Sequence, residues 1–342
     1  MKRCYQSLLV LMCCVACPAA WSQTVKITPL GTHDGELCDR DRATIFEDPT
    51  GVRILYDAGQ SVMGANDPRL GTIHAVLLSH AHTDHIGDRK IAAMNAGTCE
   101  KPETVSALPN TTVAEIAAAK NASLIMIRNM AFFLGRKIEN IRGKPTGTCA
   151  EAGGAIAAVQ PAPCIAPVEL GGTKVVKAAG AANGVEITTV YAAHDSTLTR
   201  DMLTEAQKKA LEPDNISVSL GAPSGYVVKF TNGLKIYLSG DTALHSEMRT
   251  VVHDFHKVNL AVINLGPNAI SSDAAAYAIN ELVAPVSVIV SHPNEGVTSG
   301  GKIKSNARTK QFVDLLKGRP VYLALSGKTM EFDGNAKCAA GC

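Results

Sequence analysis

The sequence predicts an α/β fold in which two sheets pack face to face with helices outside. Three observations carry this. Short alternating or apolar runs at 25–30, 43–47, 52–56, 75–78, 185–191, 226–231, 234–238, 286–290 and 321–325 read as strands. Segments of helical pattern alternate with the later ones. Four of the apolar runs are followed closely by a histidine or aspartate, His80, His194, Asp241 and His292. The carboxyl ends of strands are where open α/β layers place their sites.

The chain starts Met1-Lys2-Arg3, followed by an apolar run over 7–16 that is too short to span a bilayer as a helix. Ala20-Trp21-Ser22 offers small residues at the −3 and −1 positions, so residues 1–22 read as a signal peptide cleaved before Gln23. Cys17 resembles a lipoprotein site only weakly, because Cys14 stands where a leucine is expected. Residues 23–342 then form one domain, with an insertion at about 97–180. The leading strands 43–47 and 52–56 flank Asp48-Pro49-Thr50-Gly51, a good hairpin turn. The run 75–78 is apolar throughout, as in a strand buried on both faces, and a helix-like segment follows over 85–96.

The insertion holds an alanine-rich helix candidate at 111–120 and the stretch 124–138, with Met126, Met130, Phe132 and Phe133 among basic residues. A Gly-, Ala- and Pro-rich stretch over 143–172 follows. It reads either as a surface insertion with its own small core or as a lid over a pocket. Beyond it, Asn232-Gly233 joins the strands 226–231 and 234–238. Helices are expected over 272–283, capped by Ser271 or Ser272, and over 306–317.

Ten cysteines divide between the leader and six in the mature chain: Cys38, Cys99, Cys149, Cys164, Cys338 and Cys342. An even six in an exported protein predicts disulfides, whose fifteen pairings stay open. Lys+Arg number 33 against 31 Asp+Glu, and loss of Lys2 and Arg3 leaves 31 against 31. A neutral mature chain disfavours nucleic acid as partner and favours a small-molecule substrate. No other stretch is apolar and long enough to cross a membrane, which leaves a periplasmic or secreted protein.

The most concentrated chemistry is Ser79-His80-Ala81-His82-Thr83-Asp84-His85. Three imidazoles and a carboxylate so close together need a cation to offset their desolvation. Nitrogen and oxygen donors together suit zinc, with iron and manganese as alternatives. His80 and His82 are two apart and face the same way on extended backbone. Asp84 and His85 lie past the turn and face a second point.

An H-x-H-x-D-H run after a strand, with His194, Asp241 and His292 each following later strands, resembles the metallo-β-lactamase-fold superfamily over roughly 25–330. The resemblance implies a four-layer αββα sandwich. It implies two Zn²⁺ per chain, one held by His80, His82 and His194, the other by Asp84, His85 and His292, with Asp241 bridging. Gly240-Asp241-Thr242 is the arrangement of the lactonase, thioesterase, phosphodiesterase and ribonuclease Z branches. True β-lactamases of this fold lack that bridging carboxylate. The neutral charge disfavours a precursor tRNA substrate of the ribonuclease Z kind.

Of the other histidines, His245, His253 and His256 read as a solvated face and His74 as a loop residue, while His33 follows a strand end that could approach the pocket.

The expected reaction is attack by a metal-bridging hydroxide on an ester or lactone carbonyl. Zinc brings water to a pKa of about 7, and two metals about 3.5–4 Å apart clamp a reacting group. Asp84 and Asp241 are the expected catalytic residues, holding the metals and orienting the hydroxide. A phosphodiesterase or sulfatase of the same fold is the alternative. An iron-dependent sulfur oxidoreductase and a non-catalytic metal-binding protein are further classes, and the full ligand set argues against both. Lys302, Lys304 or Arg308 could reach an anionic substrate group. Tyr191 and Tyr226 are candidate pocket donors, with core or rim positions the plainer reading.

Overall fold

The structure, a computed structural model, describes residues 23–342. The expected signal peptide over 1–22, with its four cysteines, lies outside the described residues. An eight-stranded sheet runs, edge to edge, through Cys164–Val168, Ser123–Ile127, Ala75–Leu77, Arg53–Tyr56, Ala43–Glu47, Val25–Leu30, Met330–Phe332 and Cys338–Ala340. A nine-stranded sheet runs from Val321–Leu323 through Ser287–Ser291, Leu260–Asn264, Lys235–Leu238, Ser224–Lys229 and Val185–Tyr191 to three further strands, Thr173–Lys177, Ala155–Ala157 and Glu151–Ala152.

Alternation along the strands explains how the sheets stack. Ile54 and Tyr56 point into one apolar cluster, which also takes Ile27, Phe46 and Leu77 from the first sheet and Ile187, Tyr226, Val228 and Ile236 from the second. Leu55, between them, points into another cluster with Val76, Leu78, Leu124 and Met126. That outer cluster is covered by the helices Thr112–Lys120 and Arg128–Arg142, through Val113, Ile116, Met130 and Leu134. Helices Ser272–Tyr277 and Arg308–Leu315 cover the second sheet, with Ala275 and Phe312 in the core. The result is the four-layer αββα sandwich. Sheets covered on both faces have near-continuous apolar strands, as at 260–263 and 288–290, inside two strands whose every residue is buried.

Tyr226 ties the two sheets together. Its buried hydroxyl donates to the Leu78 carbonyl at 2.7 Å, and its ring meets Tyr56 edge-on. It is therefore a core residue, and Tyr191 lies exposed.

One local expectation is corrected. The segment over 85–96 is one turn of helix, Thr83–Ile86, followed by the strand Arg89–Ile91 paired with Thr104–Ser106. Gly87 stops the helix in the left-handed conformation, φ 77°, with its N–H on the Thr83 carbonyl. A Cβ there would meet the Gly59 carbonyl oxygen at 2.5 Å, so no other residue fits. Within 124–138 the chain runs as a strand to Ile127 and then as a helix, Arg128–Arg142.

The stretch at about 97–180 supplies strands to both sheets: Ser123–Ile127 and Cys164–Val168 to the first, Ala155–Ala157 and Thr173–Lys177 to the second. Its two helices share the apolar cluster on the first sheet rather than a separate one, although Phe132 is exposed. Helix Thr112–Lys120 is capped by Thr111, and helix Ser272–Tyr277 by Ser271.

All six described cysteines pair: Cys38–Cys99, Cys149–Cys164 and Cys338–Cys342. Among the described residues no helix is long and apolar enough to cross a membrane.

Candidate metal centre

Strand direction brings the candidate ligands together. Arg53–Tyr56 and Ala75–Leu77 run parallel, and so do Lys235–Leu238, Leu260–Asn264 and Ser287–Ser291. Asp57, His80, Asp241 and His292 thus emerge from the carboxyl ends of their strands. His194 follows Val185–Tyr191, which is parallel to Lys235–Leu238 through the antiparallel strand between them. Asp84 and His85 come from the one-turn helix.

The seven residues meet in three overlapping groups: His80 with His82 and His194, His80 with His85 and Asp241, and Asp84 with His85 and His292. Within each group the donor atoms lie within 4.8 Å of one another. His194 Nε2 is 3.3 Å from His82 Nδ1, and His292 Nε2 is 3.0 Å from His85 Nε2. Asp84 Oδ2 lies 3.3 Å from His292 Nε2. Asp241 stands between the two sets. Its Oδ2 is 3.9 Å from His194 Nε2, and its Oδ1 is 3.3 Å from His292 Nε2 and 3.4 Å from His85 Nε2. His80, His85, Asp241 and His292 are buried, while His82, Asp84 and His194 are half-buried, so the site opens on their side.

These residues fit a metal. His80 Nε2 and Asp241 Oδ1 are buried with no hydrogen-bond partner, an arrangement that costs free energy without a cation between them. The electrostatics agree. Burial, then the neighbouring His85, drive the His80 imidazole well below its usual range, so it is a neutral donor. Burial opposes charge on His85, yet the Asp241, Asp57 and Asp84 carboxylates outweigh it and push the imidazole up to about 10. Burial also opposes charge on Asp241, but the imidazoles of His292, His85 and His80 hold its carboxyl well below the usual range. The centre carries negative charge that calls for a cation.

A second set of groups orients the first. Asp57 accepts from the Ser79 N–H and the Ser79 hydroxyl, both at 2.8 Å, and from His85 Nδ1 at 2.8 Å. Ser79 Oγ is also 3.0 Å from His80 Nδ1. The Nε2 atoms of His80 and His85 are thereby left to face the cluster. His82 is turned the other way: its Nε2 bonds Asp195 Oδ1 at 3.0 Å, which leaves Nδ1 inward. Carboxylate-backed imidazoles of this kind are typical of metal ligands.

Sequence reasoning missed Asp57, Asp195 and Arg42. The first two carry a signal, because Asp57 follows an apolar strand just as Asp241 does, and Asp195 follows a candidate ligand directly. Arg42 carries none.

Several other candidates are placed elsewhere. His33 bonds Thr32 and lies 3.4 Å from the Gly97 carbonyl oxygen. His245 is half-buried against the Tyr191 ring rather than on a solvated face. Lys304 pairs with Glu100 at 2.6 Å. Arg308 donates to the Pro293, Asn294 and Leu265 carbonyls and braces the loop after His292.

Gly266 sets the position of His292. Its φ is not left-handed, so alanine suits the backbone there, but a Cβ would sit 3.2 Å from His292 Nδ1 and 3.3 Å from Asn294 Nδ2. Gly266→Ala is expected to keep the fold and weaken metal binding at the Asp84–His85–His292 group by about tenfold. Competition with a chromogenic chelator measures this, and an unchanged affinity would contradict the placement.

Two sheets between helix layers, with histidines and aspartates converging at one edge, form a candidate metal centre, and the chain's relatives mark the class as a metal-dependent hydrolase. Residues 52–292 match the family described as beta-lactamase superfamily domain, and the chain belongs to that family. Curated relatives include a metal-dependent hydrolase from Polynucleobacter asymbioticus, 26% identical over 77% of this chain and 71% of the relative. Another from Staphylococcus epidermidis is 23% identical over 87% of this chain and 100% of the relative. The fold is shared with a metallo hydrolase from Ignicoccus hospitalis, at a TM-score of 0.54 and 20% identity over 91% of this chain and 99% of that one.

Proposed function

We propose that this is an exported dinuclear-zinc hydrolase of esters or lactones. The observation that carries the two-metal reading is Asp241, whose two carboxylate oxygens face separate sets of imidazoles. His80, His82 and His194 would hold one ion and Asp84, His85 and His292 the other. When bound, two such ions supply Lewis acidity and a nucleophile drawn from water at neutral pH.

The chain's own residues do the rest. Asp241 would keep both sets in register. Asp84 holds charge rather than a proton: burial opposes its ionisation, but Arg42 and His85 bring its carboxyl well below the usual range. Asp57 and Asp195 keep the ring nitrogens of His85 and His82 oriented. Substrate would enter on the side of His82, Asp84 and His194, where the site is least covered.

Two of the three basic residues expected to greet an anion, Lys304 and Arg308, are engaged and only Lys302 is exposed, which favours an uncharged carbonyl substrate over a phosphodiester or aryl sulfate. Three disulfides suit an oxidising compartment and support export.

The test is a panel of lactones, aryl esters, thioesters, phosphodiesters and aryl sulfates against zinc-loaded protein. Lactones or esters are expected to give the highest kcat/KM. Faster turnover of phosphodiesters or sulfates would overturn the substrate class.

A further inference from the structure

The two halves of the centre are built differently. On the side of His80, His82 and His194, two of the three imidazoles are backed, by Ser79 behind His80 and Asp195 behind His82, while the outer nitrogen of His194 has no hydrogen-bond partner among the described residues. Such partners raise ligand basicity and favour a bound cation. On the other side only His85 is backed in this way, by Asp57. His292 Nδ1 is buried with no partner. Asp84 faces a fixed cation, because Arg42 Nη2 lies 3.1 Å from Asp84 Oδ2, with the arginine side chain 2% exposed. This is the oxygen that points at His292 and His85.

Arg42 has little freedom to leave. Its Nη1 donates to the Asp84 carbonyl at 3.2 Å and its Nη2 to Asn294 Oδ1 at 3.0 Å. Its neighbour Asp41 is anchored by the Thr32 and Cys38 N–H groups. Gly59 leaves room for its stem, since a Cβ there would lie 3.2 Å from Arg42 Cγ. A guanidinium does not lose its proton in a protein. A divalent ion at Asp84, His85 and His292 therefore shares its carboxylate with a permanent positive charge that is itself buried and little screened by water.

We propose that Arg42 is a positioning residue that makes the Asp84–His85–His292 site the weaker of two, so that metal fills His80–His82–His194 first. This rests on the dinuclear reading above. Under scarce metal the chain would hold one ion, and the second would join as metal rises.

Calorimetric titration of the metal-free protein with Zn²⁺, and absorption titration with Co²⁺, test the proposal without turnover. The wild type is expected to show two steps, the second weaker by about tenfold to a hundredfold. Arg42→Met should tighten the second step by about tenfold or more and leave the first unchanged, and Arg42→Lys should keep the separation. A second step unchanged or weakened in Arg42→Met would overturn the proposal.

The order of filling is checked without altering Arg42. The first Co²⁺ spectrum of the wild type should match that of His292→Ala, and a match to His194→Ala instead would reverse the order and sink the idea. Two equal steps in the wild type would refute the role of Arg42 alone. A single step of one metal per chain would refute the dinuclear reading beneath it.

Discussion

Asp241→Ala is expected to lower kcat/KM by at least about a thousandfold, equivalent to about 4 kcal/mol of transition-state stabilisation. The Asp241 carboxylate reaches towards His194 with one oxygen and towards His85 and His292 with the other, and a methyl group replaces neither contact. Bound metal should fall from two per chain to one or fewer. The fold should survive, because the turn at Ser239-Gly240 is held independently by Asn264, whose Nδ2 donates to the Gly240 carbonyl at 2.7 Å. Circular dichroism separates loss of metal from loss of structure. Full turnover in this variant would refute the bridging role.

Asp57→Asn is the second large expectation. Asp57 is not itself a candidate ligand, yet it accepts from two Ser79 groups and from His85 Nδ1. An amide of the same size presents N–H where one of these donors already points. The imidazole of His85 then loses its carboxylate, and a buried polar group is left unpaired at a cost of about 1–3 kcal/mol. Metal affinity should fall by about tenfold to a hundredfold. Thermal unfolding of the metal-free protein and competition with a chelator read the two effects separately. If neither moved, Asp57 would not be orienting the centre.

The sequence was most legible where physics acts locally. Two-sided burial writes itself as apolar runs, so 75–78, apolar throughout, and 286–290, apolar but for Ser287, read correctly as strands to within one residue. The donor at each strand end follows from the same pattern. Ser271 or Ser272 announced a helix, with Ser271 the cap in the structure, because a cap is a contact three residues long.

Non-local pairing was the opposite case. Ser123–Ile127 joins the first sheet between Ala75–Leu77 and Cys164–Val168, and parallel neighbours this far apart leave no mark in spacing. The stretch 124–138 carried no strand signal of its own, and the region as a whole read as an insertion. Gly87 ended the helix at Ile86 by a left-handed turn that depends on the close approach of Gly59, a contact invisible along the chain. Arg42 shows the limit most clearly. Nothing in Asp39-Arg40-Asp41-Arg42 separates a solvated arginine from one pressed against Asp84.

Metal content of the purified protein tests the central claim most directly. Elemental analysis of chain loaded with zinc and freed of excess should return close to two zinc per chain, falling to one in His292→Ala. A single iron per chain, or one metal in wild type and His292→Ala alike, would contradict a two-metal hydrolytic centre.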